Sequence, residues 1–281
     1  MSEAVTVREL LARGCSRLAG SPQGRLEAEV LLAHALGVNR AWLYANGEQA
    51  AGPDASKRFL DLAGRRAAGE PVAYLTGVRE FWSLPLNVTP HVLIPRPETE
   101  LLVEVALERL APGQPFRVAD LGTGSGAVAL AIASERPLCE VHATELSPES
   151  LAVARENAAL LPEGRVSLHL GSWFEPLEGR FDLVVSNPPY VAGDDPHLEE
   201  GDCAFEPPEA LTPGGDGLSA IRAIASGAPG YLAPGGCLAF EHGFDQGPAA
   251  RGILEEQGFV NVETRRDLEK RERLTLGNVE T

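Results

Sequence analysis

The sequence predicts a doubly wound α/β domain preceded by a small helical domain, and three observations support this. From residue 117 onward, short apolar segments alternate with helical ones, as is typical of a mostly parallel sheet covered on both faces. The glycine-rich turn Gly122-Thr-Gly-Ser-Gly126 joins the first of these strands to a helix. Another apolar strand, Phe181–Val185, stops at Asn187-Pro-Pro-Tyr190, because proline cannot donate to a sheet ladder.

Residues 1–75 are expected to form the helical domain. Thr6-Val-Arg-Glu9 is a capping-box pattern that opens a first helix. Further helices are expected over residues 25–36, after Asn39 and over residues 53–69. This region contains no cluster of catalytic side chains, so we expect it to bind a partner, the alternative being that it only packs onto the main domain.

Residues 76–96 are predicted to be a β-hairpin linker. The segments 74–77 and 80–88 alternate apolar and polar residues and carry glycine, proline and asparagine breaks. A helix should then begin at Pro97, because proline suits the first helical turn and the glutamates that follow it suit the positive end of the helix dipole.

Residues 97–281 are expected to form the α/β domain. Strands are predicted at residues 118–121, 141–145, 166–170, 181–186, 236–241 and, as an antiparallel pair, near 260–266 and 273–276. Helices are predicted at residues 127–135, 148–157, 218–225 and 246–257. A loop rich in acidic residues, proline and glycine, residues 191–217, connects the fourth strand to the next helix.

The glycine turn predicts a nucleotide site. Its glycines allow the backbone to approach a ligand at a helix N-terminus, and Glu145, at the end of the second strand, is placed to accept hydrogen bonds from ribose hydroxyls. With Ala127, the turn also matches a variant of the NAD fingerprint. Adenosylmethionine lacks a pyrophosphate and carries a sulfonium and an amino group, so acidic residues such as Asp120 favour it over NAD. Trp173 is placed either beside the adenine or in the core.

The second candidate site is the tetrapeptide Asn187-Pro188-Pro189-Tyr190. The side-chain carbonyl of Asn187 and the backbone carbonyl of Pro188 are two acceptors at the carboxyl end of a strand, where open parallel sheets bind ligands. Two converging acceptors suit one NH₂ group, and Tyr190 can lie against the planar group that carries it. The tetrapeptide alone does not distinguish an adenine amine from a glutamine amide.

Net charge is −16, and residues 1–80 contain ten Lys/Arg and nine Asp/Glu, against fourteen and thirty-one in residues 81–281. An acidic α/β domain disfavours duplex DNA and favours a basic protein partner. The four cysteines and six histidines are scattered, so we expect neither a metal site nor structural disulfides. The N-terminal residues Met1–Ala4 lack the features of a signal peptide, and no apolar run is long enough to span a bilayer. We therefore expect a cytoplasmic protein.

Several motifs together resemble the glutamine methyltransferases of bacterial peptide-chain release factors, the HemK/PrmC family. They are Asp120–Gly126, Glu145, Asn187–Tyr190, Phe205-Glu-Pro207, Glu241-His-Gly243, Ile94-Pro-Arg-Pro-Glu-Thr-Glu100 and the spaced residues Gly69, Pro71, Tyr74 and Gly77. Their order covers essentially the whole chain.

The resemblance implies a seven-stranded Rossmann-like, adenosylmethionine-dependent methyltransferase domain. It also implies a helical N-terminal domain, a hairpin linker and the Gly-Gly-Gln glutamine of release factors 1 and 2 as substrate. We expect a monomer that binds no nucleic acid directly. The positions matching the family's cofactor site are Gly122, Thr123, Gly124, Ser125, Gly126, Glu145, Trp173 and Asn187. The acidic group argued for above, Asp120, is added to this set. The glutamine-binding positions are Asn187, Pro188, Pro189 and Tyr190, and the catalytic ones are Asn187, Pro188 and Tyr190.

One position departs from the family pattern, because Ser172 stands where some relatives have an Asp that contacts the adenine amine. Four other functions remain open. A glutamine methyltransferase of a ribosomal protein shares most motifs but lacks Arg96–Glu100. A methyltransferase of exocyclic base amines would need a flipped-base pocket and a basic duplex-binding surface. A non-catalytic cofactor-binding module or an NAD-dependent oxidoreductase is opposed by the intact Asn187–Tyr190 and by the lack of a convincing hydride-transfer acid or base.

Overall fold

The computed structural model describes residues 5–281, which form two compact units, one ending at Val78 and one beginning at Arg79. Residues 1–4, on which the signal-peptide argument rests, lie outside the described residues. None of the helices within residues 5–281 is both long and apolar enough to cross a membrane.

The first unit is helical. Its five helices are α1 (Val7–Arg17), α2 (Gly24–Leu36), α3 (Arg40–Ala45), α4 (Pro53–Ala67) and α5 (Val72–Thr76). The predicted capping box is confirmed, since the Thr6 hydroxyl accepts from the Glu9 backbone N–H and the Glu9 carboxylate accepts from the Thr6 N–H. Leu10, Leu31 and Phe59 are fully buried in a core shared by the helices.

The hairpin is shorter than the sequence predicted. The segment Tyr74–Thr76 belongs to α5, so its assignment to the hairpin was wrong: the Thr76 hydroxyl donates to the Val72 carbonyl (3.0 Å), and Leu75 is buried. The hairpin itself consists of β1 (Val78–Phe81) and β2 (Leu84–Asn87). Trp82 and Ser83 join the strands with φ of 50° and 61°, the left-handed pair that a tight two-residue hairpin turn requires.

The second unit is built on one seven-stranded sheet. Its strands are β3 (Arg117–Leu121), β4 (Glu140–Glu145), β5 (Val166–Leu170), β6 (Phe181–Ser186), β7 (Leu232–Glu241), β8 (Val260–Arg266) and β9 (Glu272–Asn278). The order across the sheet is β5-β4-β3-β6-β7-β9-β8, and β9 is antiparallel to both its neighbours. The chain moves outward from β3 through β4 to β5 and then returns to β6 on the other side of β3. The topological switch point therefore lies between β3 and β6.

Helices cover both faces of this sheet. They are α6 (Glu100–Arg109), α7 (Ala127–Glu135), α8 (Pro148–Ala158), α9 (Pro208–Leu211), α10 (Ser219–Tyr231) and α11 (Gly247–Glu256). Alternate residues of the strands contribute to two cores: Leu183 and Val185 face α6 and α7, whereas Val184 faces α10 and α11. The sheet is thus buried on both sides, as its apolar strands predicted.

Two elements run longer than predicted. Helix α10 continues past Ala225 through Pro229, and a Cβ at Gly227 would lie 2.9 Å from the Phe174 ring, so the glycine permits close packing there. Strand β7 begins at Leu232, which pairs with Phe181, instead of at Gly236. Within the predicted loop 191–217, the chain forms α9 and two short 3₁₀ helices, Pro196–Glu199 and Gly201–Phe205.

Candidate active site

A cavity of about 810 Å³ opens at the carboxyl edge of the sheet, at the switch point. Its lining includes the turn after β3, the end of β4 and the residue that follows β6. Gly122, Glu145 and Asn187, which lie far apart in the sequence, therefore face one space. The size is that of a site for a cofactor and part of a substrate.

The glycine turn is held in place by the neighbouring strand. The backbone N–H groups of Gly122 and Thr123 both donate to the Thr144 carbonyl at 2.9 Å, and the Gly124 N–H donates to a Glu145 carboxylate oxygen at 2.9 Å. Gly122, Gly124 and Gly126 have φ of 70°, 57° and 86°, a region that favours glycine. These hydrogen bonds and glycine conformations hold the turn in its shape.

Glu145 has acceptor capacity left over. Its second oxygen accepts from the Ser147 N–H at 2.9 Å, next to the N-terminus of α8, which Ser147 caps. A carboxylate offers about four lone-pair positions, so two hydrogen bonds leave room for two more. That capacity suits a pair of ribose hydroxyls.

Asp120 lies behind the turn and is 2% exposed. One carboxylate oxygen accepts from the Thr123 hydroxyl (2.6 Å) and from the Ala129 N–H (3.2 Å) near the start of α7. Burial raises the pKa of Asp120 to about 6, and the nearby charge of Glu145 adds to that rise. A cation bound in the cavity would favour the ionised form of Asp120.

The lining of the cavity is apolar and acidic. Trp173 lines the cavity and has a φ of 45°. Its indole ring lies close to the glycine turn, since a Cβ added at Gly122 would be 3.2 Å from the ring. Part of the ring also packs on the core. Ser172 lines the cavity beside it. The described lining residues include four carboxylates, those of Asp120, Glu145, Glu149 and Glu209, and neither lysine nor arginine. Such a surface fits a sulfonium compound and disfavours a pyrophosphate.

Asn187 occupies the other end of the cavity. Its side-chain NH₂ donates one hydrogen to the Thr99 hydroxyl at 3.1 Å, so the second N–H and the side-chain carbonyl are its remaining polar groups. Pro189 also lines the cavity, whereas Gly126, Pro188 and Tyr190 lie behind its wall. The placement of Tyr190 against a substrate amide therefore stays a prediction.

Tyr190 is held by three hydrogen bonds. Its hydroxyl donates to Glu241 at 2.9 Å, its N–H donates to the Leu211 carbonyl, and its carbonyl accepts from the Gln246 side chain at 2.8 Å. Burial raises the pKa of the Tyr190 hydroxyl well above its usual range, and the Glu241 carboxyl reinforces this. Burial likewise raises the pKa of Glu241. Tyr190 is thus a neutral phenol in a fixed position.

Sequence reasoning missed several residues that support this end. Thr99 bonds to Asn187, and Arg96 forms an ion pair with the buried Glu206, whose other oxygen accepts from the Ile94 N–H at 3.0 Å. These residues and Glu241 belong to the motifs on which the family resemblance rests, but the motifs alone did not indicate what each side chain does. Only the structure pairs them.

Two further segments bear on the cavity. Residues 91–95, placed in the linker, contribute His91, Val92, Leu93 and Pro95 to its wall. Within the loop 191–217, the acidic residues 194–202 do not line the cavity, whereas residues from the later part, 207–213, do.

Two family models match the chain. Residues 9–77 match the PrmC N-terminal domain, and residues 97–218 match the methyltransferase small domain. The release factor glutamine methyltransferase of Xylella fastidiosa (strain Temecula1) is 54% identical over 254 residues, which covers 90% of this chain and 92% of that protein. The same enzyme of Burkholderia pseudomallei is 49% identical, with coverage of 98% and 99%. The chain belongs to the release factor glutamine methyltransferase family.

Solved structures confirm the methyltransferase fold. A methyltransferase from Pyrococcus furiosus superposes with a TM-score of 0.54 at 19% identity, covering 79% of this chain and 99% of that one. The T. thermophilus 16S rRNA N2 G1207 methyltransferase, solved in complex with AdoMet and guanosine, gives a TM-score of 0.53 at 21% identity, covering 72% and 50%. At these identities, the likeness concerns the fold.

Proposed function

We propose that this protein transfers a methyl group from S-adenosylmethionine to the side-chain amide nitrogen of a glutamine in peptide-chain release factors. We further propose that the acceptor is the Gly-Gly-Gln glutamine of release factors 1 and 2. The observation that carries the proposal is that Asn187 and the Gly122–Gly126 turn share one cavity. Family membership supports the choice of a release factor.

The residues of the cavity fit the cofactor, which supplies an electrophilic methyl group on a sulfonium. The turn Gly122–Gly126 offers backbone close to the ligand, Glu145 would accept from its ribose hydroxyls, and Asp120 adds negative charge for its amino group. Trp173 offers an apolar surface for the adenine, and Ser172, which replaces an acidic residue of some relatives, offers a hydroxyl acceptor in the same place.

The substrate end is proposed to orient the glutamine amide. An amide nitrogen is a poor nucleophile because its lone pair is delocalised into the carbonyl. Asn187 Oδ1 and the Pro188 carbonyl would each accept one N–H, so the nitrogen is held with its lone pair towards the methyl group. Such positioning can lower a barrier by up to about 7–11 kcal/mol in ideal cases.

We propose no dedicated general base. Methyl transfer makes the amide nitrogen strongly acidic, so its proton can pass to the accepting carbonyl or to water. Tyr190 would support the planar amide from one side, with its hydroxyl held by Glu241.

The helical unit, which we take to be residues 1–75 with the linker at 76–96, is proposed to bind the release factor. Residues 5–75 contribute nothing to the cavity lining and have their own core. Release factor binding should slow amide hydrogen exchange in α1 to α4, whereas protection confined to residues after 96 would contradict this role. We also infer that the protein acts in the cytoplasm as a monomer, which sedimentation of the free protein can test.

The test of the proposal is label transfer from S-adenosylmethionine carrying a labelled methyl group. The protein is incubated separately with each release factor, with ribosomal proteins, with ribosomal RNA and with duplex DNA. We expect label on release factors 1 and 2. Label on a ribosomal protein or on nucleic acid instead would overturn the assignment.

The cofactor can be tested separately. S-adenosylhomocysteine should raise the melting temperature of the protein, since a ligand that binds only the folded state stabilises it, whereas NAD should not. The reverse result would contradict a methyltransferase site.

A further inference from the structure

Asn157 lies near the end of α8 and is fully buried, and the proposed chemistry gives it no role. Its side-chain NH₂ donates one hydrogen to the Asn87 carbonyl and the other to the Ser125 carbonyl, both at 2.9 Å. Its side-chain carbonyl accepts from the Asn87 backbone N–H at 2.7 Å. Backbone groups are fixed as donors or acceptors, so these three partners determine the orientation of the Asn157 amide.

The bond to Ser125 reaches the glycine turn. The peptide group between Ser125 and Gly126 is held at both ends, because its N–H donates to the Thr123 carbonyl at 2.8 Å and its carbonyl accepts from Asn157. Gly124 and Gly126, on either side of Ser125, have positive φ, and glycine rotates about its backbone bonds more freely than other residues. The hydrogen bond from Asn157 therefore holds a part of the turn that the bonds to β4 do not reach.

The bonds to Asn87 reach the hairpin linker. Asn87 ends β2, and four residues later His91 begins the part of the linker that lines the cavity. A second side chain of α8, that of Ser150, donates to the His91 carbonyl at 2.6 Å. Ser150 and Asn157 are seven residues apart, which is about two helical turns, so they lie on one side of α8. This side of the helix thus holds the linker at two residues and the glycine turn at a third.

We propose that Asn157 is a positioning residue that joins the glycine turn to the hairpin linker, so that the two respond together when the cofactor binds. Strand β2 contributes nothing to the cavity lining, so an effect of the cofactor on β2 has to pass through a neighbouring group, and Asn157 bonds to both segments. This inference rests on the proposed function, because it takes the turn to bind S-adenosylmethionine.

The first test removes the hydrogen bonds and keeps about the same side-chain size. Asn157→Leu should bind S-adenosylhomocysteine about tenfold more weakly in calorimetry, because the loosened turn has to be ordered on binding. KM for S-adenosylmethionine should rise to a similar extent. The kcat for release factor methylation at saturating cofactor should stay within about threefold, because Asn187 and its partner Thr99 are unchanged.

The split between KM and kcat separates positioning from a structural role. A residue that only stabilises the fold would lower the amount of active protein, and so kcat, with KM unchanged; that result would overturn the proposal. Asn157→Ala leaves room for water to bond to the freed backbone groups, so it keeps the test available if Asn157→Leu does not fold. It should show the same rise in KM.

Two matched controls accompany these variants. Val153→Ala removes buried methyl groups from the same helix, so it should lower the melting temperature but leave cofactor affinity within about twofold. Asn87→Ala removes an exposed side chain and keeps both backbone bonds to Asn157, so it should change neither quantity. A loss of affinity in Val153→Ala as large as in Asn157→Leu would overturn the proposal, since lost stability alone would then explain it.

The coupling itself can be measured without activity, by hydrogen exchange in NMR spectra. In wild type, S-adenosylhomocysteine should slow exchange of the Asn87 backbone N–H as well as that of the glycine turn. In Asn157→Leu, at a ligand concentration that saturates the variant, the turn should still be protected, whereas the ligand should no longer affect Asn87. A ligand effect on Asn87 in both proteins, or in neither, would overturn the proposal. If wild type shows the coupling but methylates no release factor, the proposed function fails while the role of Asn157 stands.

Discussion

The two ends of the cavity are built in different ways. At the cofactor end, most of the hydrogen bonds that shape the site join backbone groups and carboxylates within residues 120–147. At the substrate end, side chains from three distant parts of the chain bond to one another: Asn187 to Thr99, and Tyr190 to Glu241. The first end is a local structure that a short sequence encodes, whereas the second exists only after the sheet has assembled. The following predictions test whether the two ends work separately.

The largest expected effect is that of Asn187→Ala. Turnover should fall by about 1,000-fold or more, because the amide of the substrate loses an orienting acceptor. The affinity for S-adenosylhomocysteine, measured by calorimetry, should stay within about tenfold, since the glycine turn and Glu145 are untouched. The half-buried Asn278, whose NH₂ donates to the Gly235 carbonyl, offers a control: Asn278→Ala should leave turnover unchanged. Methylation at the wild-type rate by Asn187→Ala would refute the mechanism.

Loss of an ion pair at the substrate end should destabilise the protein, whereas the cofactor end does not depend on one. Arg96→Met leaves the buried Glu206 without its cation, which should lower the free energy of unfolding by about 3 kcal/mol. Adding Glu206→Gln should restore much of that loss, because the burial that raises the pKa of Glu206 no longer opposes a charge. Urea unfolding of the single and double variants measures both values, and a double variant less stable than Arg96→Met would contradict the account.

The cofactor end should show a characteristic pH dependence of stability. Because burial raises the pKa of Asp120 to about 6, the folded protein holds a proton that the unfolded chain releases near pH 4. Stability contributed by this group is therefore lost as pH rises from about 4 to 6, by about 2–3 kcal/mol. Asp120→Asn removes this loss, so its free energy of unfolding relative to wild type should increase between pH 4.5 and pH 7. A difference that does not change with pH would contradict a raised pKa.

A smaller effect is expected from Gly122→Ala. Gly122 has a φ of 70°, a backbone region that costs alanine about 1–2 kcal/mol, and the added Cβ would lie 3.2 Å from Trp173. Cofactor affinity should therefore fall about tenfold. Gly113 has a φ of 77° and open space around it. Gly113→Ala should therefore lose similar stability but no cofactor affinity. Equal binding losses in both variants would contradict a local effect of Gly122 on the cavity.

The smallest effect concerns the acidic loop. Replacing Asp194, Asp195, Glu199 and Glu200 with their amides should weaken release factor binding a few-fold at low salt and hardly at all at high salt, because exposed charges are screened. The affinity for S-adenosylhomocysteine should not change, since these residues do not line the cavity. A salt-independent loss would contradict an electrostatic contribution.

The same contrast explains what the sequence could predict. Local signals were sufficient for the capping box at Thr6, for strand β6 and its stop at Pro188, and for the position of the glycine turn, since residues close together in the sequence carry each of these signals. They failed for α10, where Gly227 packs against Phe174, a contact between residues that lie far apart in sequence.

The partners of Asn187 and Tyr190 were hidden for the same reason. Thr99 was part of a helix-start pattern, and Glu241 ended a strand; neither residue's sequence neighbours indicate a bond across the sheet edge. The pairing of β6 with β7 brings them together, and strand order is not written in any local motif.

The most direct test of the central claim is to map the methyl group that the protein adds. Release factors 1 and 2, each alongside a variant with the Gly-Gly-Gln glutamine changed to alanine, are incubated with the protein and S-adenosylmethionine and then analysed by peptide mass spectrometry. We expect one added methyl group on the side-chain nitrogen of that glutamine in both factors and none in either variant. Equal methylation of the alanine variants, or a methyl group on any other residue, would contradict the account.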